Sequence, residues 1–173
     1  MPVTVPQVLG SRPETLMTAA GQLGDGAGGV DDRMATERSR FGELTASWIG
    51  TASDAASDHA SKMIDDQRRY RDKLAALQKQ LTAAGDELGR LRSALSDLTS
   101  GIEAKLFHIA DDGTTTAGPI LTTLARSSPV LAMDVRLRGL ALQTAIQTLL
   151  DEFDAADQAA AYQLRRIDSG AVR

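Results

Sequence analysis

Apolar residues recur along the first third of the chain at alternating intervals of four and three, with Glu37 as the single polar interruption. The stripe consists of Leu16, Ala20, Leu23, Ala27, Val30, Met34, Phe41, Leu44 and Trp48. Heptad spacing of this kind keeps the apolar side chains on one face of an α-helix. Ser11 is a candidate cap and Pro13 suits a first helical position. The pattern therefore predicts a first long helix that ends near residue 47.

Five glycines lie within this stripe, between residues 21 and 29. Each glycine in a helix interior costs roughly 1 kcal/mol relative to alanine. Such a cluster either frays the helix or permits a very close approach of a second helix. We expect a helix that is locally weak.

A second and longer stripe follows the break at Trp48-Ile49-Gly50. Gly50 suits the positive φ of a helix end, and Thr51 or Ser53 can cap the next helix. The stripe consists of Ala56, Met63, Tyr70, Leu74, Leu77, Leu81, Ala84, Leu88, Leu91, Leu95, Leu98 and Ile102. It predicts a helix over about residues 52–105, roughly 80 Å long at 1.5 Å per residue.

The first helix, at roughly 50 Å, is too short to cover this second helix along its whole length. The leucine stripe must therefore be covered by the last helix of the chain or by another protein. Its candidate protein-interaction residues are Leu74, Leu77, Leu81, Leu88 and Leu91.

The periodicity changes after residue 105. Asp111-Asp112-Gly113 supplies turn chemistry between short extended segments, so a small β-hairpin or ordered loop is expected near 106–118. Ser128 and Pro129 then form a helix start. The face of the last helix consists of Leu142, Ile146, Leu149, Phe153, Ala156, Ala160, Leu164 and Ile167.

These elements predict an all-α fold, an elongated antiparallel helical bundle that forms a single domain over residues 1–173. Residues 1–105 would form a long helical hairpin, and residues 106–128 a loop or β-hairpin insertion. Residues 129–168 would form a C-terminal helix that packs back on the hairpin, as short connections favour between neighbouring helices.

The amino-acid composition excludes several kinds of functional site. Among 173 residues there is no cysteine, and the histidines are His59 and His108, so disulfides, cysteine-ligated metals and a three-histidine metal site are excluded. A net charge of −4 argues against a dedicated nucleic-acid-binding protein. We expect no cofactor. The sequence also contains neither a secretory signal peptide nor an apolar run long enough for stable membrane insertion.

The remaining polar clusters have ordinary structural interpretations. Asp58 beside His59 resembles half of an acid–base pair, but no nucleophile or further ligand accompanies it. His108 lies in an irregular segment, where functional residues concentrate. The basic run at 68–73 is flanked by aspartates and reads as a salt-bridged helix face rather than a phosphate site. Four acidic residues between 151 and 157 are interpreted as a solvated face, with a basic partner as the alternative.

The helical hairpin with Trp48-Ile49-Gly50 at its bend resembles the WXG100 family of type VII (ESX-type) secretion substrates. The resemblance covers residues 1–105, and the longer C-terminal portion is similar to longer ESX-associated substrates and to modules that precede actinobacterial toxins or hydrolases. The family's export motif, Tyr-x-x-x-Asp/Glu, is not matched. Tyr70 is followed four residues later by Leu74, and Tyr162 by Arg166.

The resemblance implies a non-enzymatic protein that acts through helix–helix contacts with a homodimeric or heterodimeric partner, with the secretion ATPase as a further candidate partner. It implies export to the cell envelope or medium without a cleavable signal peptide, after a cytoplasmic stage. Trp48 either staples the two helices or forms, with Gly50, a surface that a partner reads; an exposed Trp48 favours the second interpretation. Alternatives are the targeting module of a larger effector that continues beyond Arg173, and a cytoplasmic adaptor or chaperone.

Overall fold

The computed structural model describes residues 2–170, which are predominantly helical with one small sheet. In chain order, the elements are α1 (Val5–Gly10), α2 (Glu14–Ser47), α3 (Thr51–Ser100), a 3₁₀ turn (Ala104–Leu106), β1 (Phe107–Ile109), β2 (Thr115–Ala117), α4 (Pro119–Ser127) and α5 (Pro129–Asp168). The predicted all-α class is confirmed. The start of the last helix at Pro129 is confirmed as well.

The described residues form two compact units. The leucine-rich unit contains residues 2–14 and 84–161, and the hairpin unit contains residues 15–83 and 162–170. Both α3 and α5 contribute to each unit, because α3 passes from one to the other at residue 84 and α5 at residue 162.

The leucine-rich unit has a core of large aliphatic and aromatic side chains. Its α3 positions recur at intervals of four, three and four, which places them on one helix face. The buried apolar residues are Val5, Val8, Ala84, Leu88, Leu91, Leu95, Ala104, Phe107, Leu121, Val135, Leu142, Ile146, Leu150, Phe153 and Ala160. Leu95 and Ile146 have no exposed surface at all.

The helices α3 and α5 run antiparallel in this unit. Glu103, just past α3, lies 4.0 Å from Arg138 near the start of α5, and Arg90 is attracted electrostatically to Glu152 in the second half of α5. Higher residue numbers along α3 thus lie beside lower residue numbers along α5, which is the antiparallel arrangement. The C-terminal helix thus covers the second half of the leucine stripe from within the chain.

The predicted β-hairpin is present as a two-stranded antiparallel sheet, with Phe107 opposite Ala117 and Ile109 opposite Thr115. Its turn depends on Asp112, whose carboxylate accepts hydrogen bonds from the backbone N–H of Thr114 at 2.9 Å and from the Thr114 hydroxyl at 2.7 Å. These two bonds hold the pKa of Asp112 below its usual value. The Thr115 hydroxyl donates to the Gly139 carbonyl at 2.7 Å and anchors the hairpin on α5.

In the hairpin unit, α2 packs antiparallel against the first part of α3. The Gln67 amide donates to Glu37 at 2.8 Å, and Arg71 lies 2.9 Å from Asp31. The buried apolar positions of this seam are Ala20, Ala27, Met34 and Ala60. A seam in which three of these four side chains are alanines buries less apolar surface per turn than the leucine-rich core does.

Two sequence expectations for these helices are corrected. The apolar stripe predicts Met63 and Tyr70 on the inner face, yet they are 41% and 57% exposed, and Ala60 and Gln67 face inward instead. The second helix ends at Ser100 rather than near 105, and Ile102 beyond it is 85% exposed. The glycine-rich stretch is helical throughout.

Candidate interaction surface at the hairpin bend

The bend between α2 and α3 is formed by Trp48, Ile49 and Gly50. Gly50 has a φ of +134°, a backbone conformation that favours glycine because it has no Cβ. Apart from its two chain neighbours, no residue between 2 and 170 has an atom within 4 Å of the place where a Cβ would stand, so the requirement for glycine comes from the backbone and not from crowding.

Two hydrogen bonds fix the chain as it enters α3. The backbone N–H of Asp54 donates to the Gly50 carbonyl at 3.1 Å, which closes the first helical turn. The hydroxyl of Ser53, a buried residue, donates to the Trp48 carbonyl at 2.8 Å. The second bond ties the tryptophan backbone to the helix, so the position of the indole depends on its own side-chain torsions.

Three large apolar side chains remain exposed at this bend. Leu44 is 58% exposed, Trp48 50% and Ile49 95%. We call these three residues the bend surface. Half of the only tryptophan thus stays accessible, which favours the interpretation of Trp48 as part of a surface over that of a buried staple. An exposed aromatic with aliphatic neighbours is typical of residues that anchor protein–protein contacts.

The five candidate leucines of α3 fall into two groups. Leu74, Leu77 and Leu81 are half-buried in the hairpin unit. Leu88 and Leu91 are 5% and 1% exposed and belong to the core of the leucine-rich unit. Only the first group has apolar surface left for a contact with another protein.

The basic run at 68–73 is largely neutralised within the chain. Arg68 lies 3.1 Å from Asp65, Arg69 pairs with Asp66, and Arg71 lies 2.8 Å from Asp72. This agrees with its interpretation as a salt-bridged helix face.

The two histidines are placed apart from each other. His59 is exposed on α3, and His108 is exposed on β1 opposite Thr116. Among residues 2–170, no group of three or more histidine, cysteine, aspartate or glutamate side chains could hold a metal ion. Over the same residues, no helix has the length and apolar character needed to cross a bilayer.

Comparison with known proteins gives a family match for part of the chain. Residues 11–91 match the sequence model of WXG100, described as proteins of 100 residues with WXG. The match contains α2, the bend and most of α3, with Trp48-Ile49-Gly50 near its middle. No curated protein and no solved structure matches the chain.

Proposed function

Because residues 11–91 carry a WXG100 segment, we propose that this chain is a non-enzymatic substrate or partner protein of a type VII secretion system. It acts through contacts between its helices and those of other proteins. The chain leaves the cytoplasm without a cleavable signal peptide and reaches the cell envelope or the medium. Since Tyr70 and Tyr162 lack an acidic residue four positions later, the export motif is supplied by a helical partner.

The observation that carries this proposal is the half-exposed Trp48 at the bend of a hairpin that matches the family. An exposed indole flanked by Leu44 and Ile49 presents apolar surface that a partner can cover. Gly50 contributes by shaping the bend that displays these side chains. The secretion ATPase is the partner that we assign to this surface.

The half-buried leucines of α3 support a second contact. Leu74, Leu77 and Leu81 follow one another at intervals of three and four, the spacing of a coiled-coil seam. Their remaining exposed surface is available to the helical partner that supplies the export motif. The two contacts lie on the same WXG100 segment, so the helical partner and the ATPase bind neighbouring parts of one hairpin.

Export can be tested in the native host and in an otherwise identical strain that lacks the secretion ATPase. We expect the tagged chain in the culture filtrate or envelope fraction of the first strain only. Trp48→Ser should reduce export to about one tenth or less, since truncating an anchoring tryptophan costs about 2 kcal/mol or more. The Trp48 carbonyl that accepts from Ser53 belongs to the backbone and is retained in this variant.

Met63→Ser is the matched control, because Met63 is a similarly exposed apolar residue on α3 away from the bend. It should be exported like the parent, and circular dichroism of both variants should show unchanged helix content. A parent chain that stays in the cytosol of the secretion-competent strain would contradict the proposal and favour an adaptor or chaperone. Equal export of all three proteins would remove Trp48 from the recognition surface.

A further inference from the structure

The first part of α5 carries a second apolar face outside the WXG100 segment. Val130, Met133, Leu137 and Leu140 are 77%, 56%, 53% and 58% exposed. They follow one another at intervals of three, four and three, so they form one stripe along three turns of the helix. We call these four residues the α5 stripe.

This stripe lies opposite the face that α5 buries. Leu137 stands two residues from Val135 and two from Gly139, both buried in the leucine-rich unit. Two residues correspond to about 200° of rotation in an α-helix, so the stripe points away from the core. Core packing of this chain therefore does not explain why four large apolar residues occupy these positions.

Charged residues flank the stripe unequally. On one side Asp134 and Arg138 form an ion pair at 2.9 Å, and Arg138 also lies 4.0 Å from Glu103. On the other side Arg136 makes no ion pair or hydrogen bond with any residue between 2 and 170. The charges on one flank are thus paired, whereas the other flank presents an unpaired guanidinium group.

A second copy of this chain does not satisfy Arg136. An antiparallel pairing of two stripes brings Arg136 next to Arg136 of the copy, since like flanks meet in antiparallel coiled coils. A parallel pairing brings it next to Ala141. Neither arrangement supplies a carboxylate, and juxtaposed like charges oppose association.

A membrane surface fits less well than a helix. Binding to anionic lipid depends on several basic residues along the polar face of an amphipathic helix. Here one flank carries the Asp134–Arg138 pair, and only Arg136 remains unpaired beside the stripe. A stripe restricted to heptad seam positions has the width of a coiled-coil contact.

We propose that the α5 stripe docks an α-helix of another protein that has aliphatic residues at heptad seam positions and a glutamate or aspartate facing Arg136. The aliphatic side chains cover the four exposed apolar residues of α5. The carboxylate accepts charge-assisted hydrogen bonds from the guanidinium group. This contact is independent of the bend surface and of export.

The probe is a labelled helical peptide of three heptads with leucine at both seam positions and glutamate at the flanking positions. A matched peptide has lysine at those flanking positions. By fluorescence anisotropy with the full chain, we expect the glutamate peptide to bind about tenfold more tightly, a difference of about 1.4 kcal/mol. Arg136→Glu should reverse this preference, whereas nonspecific binding to the apolar residues would not depend on the charge at position 136.

Leu137→Ser should abolish binding of the glutamate peptide, whereas Met17→Ser, a change at an exposed apolar residue of α2, should leave it unaltered. Equal affinity for both peptides, or binding to neither, overturns the proposal. Light scattering that shows a dimer lost in Leu137→Ser would assign the stripe to a second copy instead. Cosedimentation with phosphatidylglycerol vesicles that is lost in the same variant would assign it to a membrane.

Discussion

Gly113 shows how a single position can combine a backbone and a packing requirement. Its φ is +81°, and a Cβ there would lie 2.8 Å from Cγ2 of Ile146 and 3.4 Å from Cδ1 of Leu150. Both neighbours are buried in the core of the leucine-rich unit and have little room to move. The turn of the β-hairpin therefore presses directly on α5.

We predict that Gly113→Ala destabilises the protein by roughly 1–3 kcal/mol, because alanine is strained at positive φ and its Cβ collides with Ile146. Gly29→Ala is the control, since Gly29 is exposed in α2 and, its own helix backbone and chain neighbours aside, no described residue has an atom within 4 Å of its Cβ position. It should be neutral or stabilise by up to about 1 kcal/mol, the helix-propensity difference. Urea denaturation followed by circular dichroism measures both, and a stability loss of similar size in the two variants would contradict the explanation.

At the residue scale, the sequence predicted the positions that depend on local backbone chemistry. Gly50 in the bend and Gly113 in the turn were found because glycine after a helix and after two aspartates has a specific conformational use. For Trp48 the sequence permits two interpretations, a buried staple and an exposed surface residue. Heptad spacing places a side chain on a helix face, but it does not say whether anything covers that face.

At the element scale, the buried face of α3 is predicted correctly where its apolar residues are large and wrongly where they are small. From Leu88 to Leu95 the predicted positions are buried, because closely spaced leucines allow one choice of face. In the first part of α3, alanines and polar residues surround Met63 and Tyr70, and the prediction that these two larger residues face inward is wrong. The inner face there includes Gln67, which hydrogen-bonds to Glu37, itself classed as an interruption of the first stripe.

The short elements α1 and α4 were not predicted. The six residues of α1 are too few to show a helical period, and their position depends on contacts distant in sequence. The Val5 N–H donates to the Asp111 carbonyl at 2.8 Å, and the Arg92 side chain donates to the Leu9 carbonyl at 3.1 Å. The local pattern of apolar and polar residues does not contain information about such long-range hydrogen bonds.

The C-terminal end of α5 gives a prediction about pH. The Lys73 ammonium donates to the carboxylate of Asp168 at 2.8 Å and holds the pKa of Asp168 below its usual value. Because this pKa is depressed in the folded protein, the contact stabilises the helix end at pH values above the unfolded pKa, about 3.9, and is lost as pH falls through the lower folded pKa.

Titration of the Asp168 carboxyl carbon by NMR should therefore show a midpoint below that of an unpaired aspartate. In Lys73→Met, which keeps most of the aliphatic stem, the midpoint should rise toward the ordinary value. Because both side chains are substantially exposed, added salt should reduce the difference. An identical midpoint in the parent and the variant would show that the contact with Lys73 is not maintained in solution.

At the scale of the whole molecule, the two units differ in the side chains that they bury. The leucine-rich unit buries leucine, isoleucine and phenylalanine side chains from several elements. The hairpin unit buries alanines and Met34 and contains five closely spaced glycines in α2. It also buries the Gln67 side-chain oxygen, which has no hydrogen-bond partner among residues 2–170. Less apolar burial and higher backbone entropy both lower the free energy needed to open the hairpin unit.

We therefore predict that the hairpin unit opens locally while the leucine-rich unit remains folded. In native-state hydrogen exchange, the amides of residues 20–34 and 60–67 should exchange at least about tenfold faster than those of residues 88–95 and 142–153, as expected for cooperative units of unequal stability. Leu91→Ala should cost the second set about 2–5 kcal/mol of protection and leave the first set nearly unchanged. Equal protection of both sets in the parent, with a parallel loss in Leu91→Ala, would instead mean that the chain opens as a single cooperative unit.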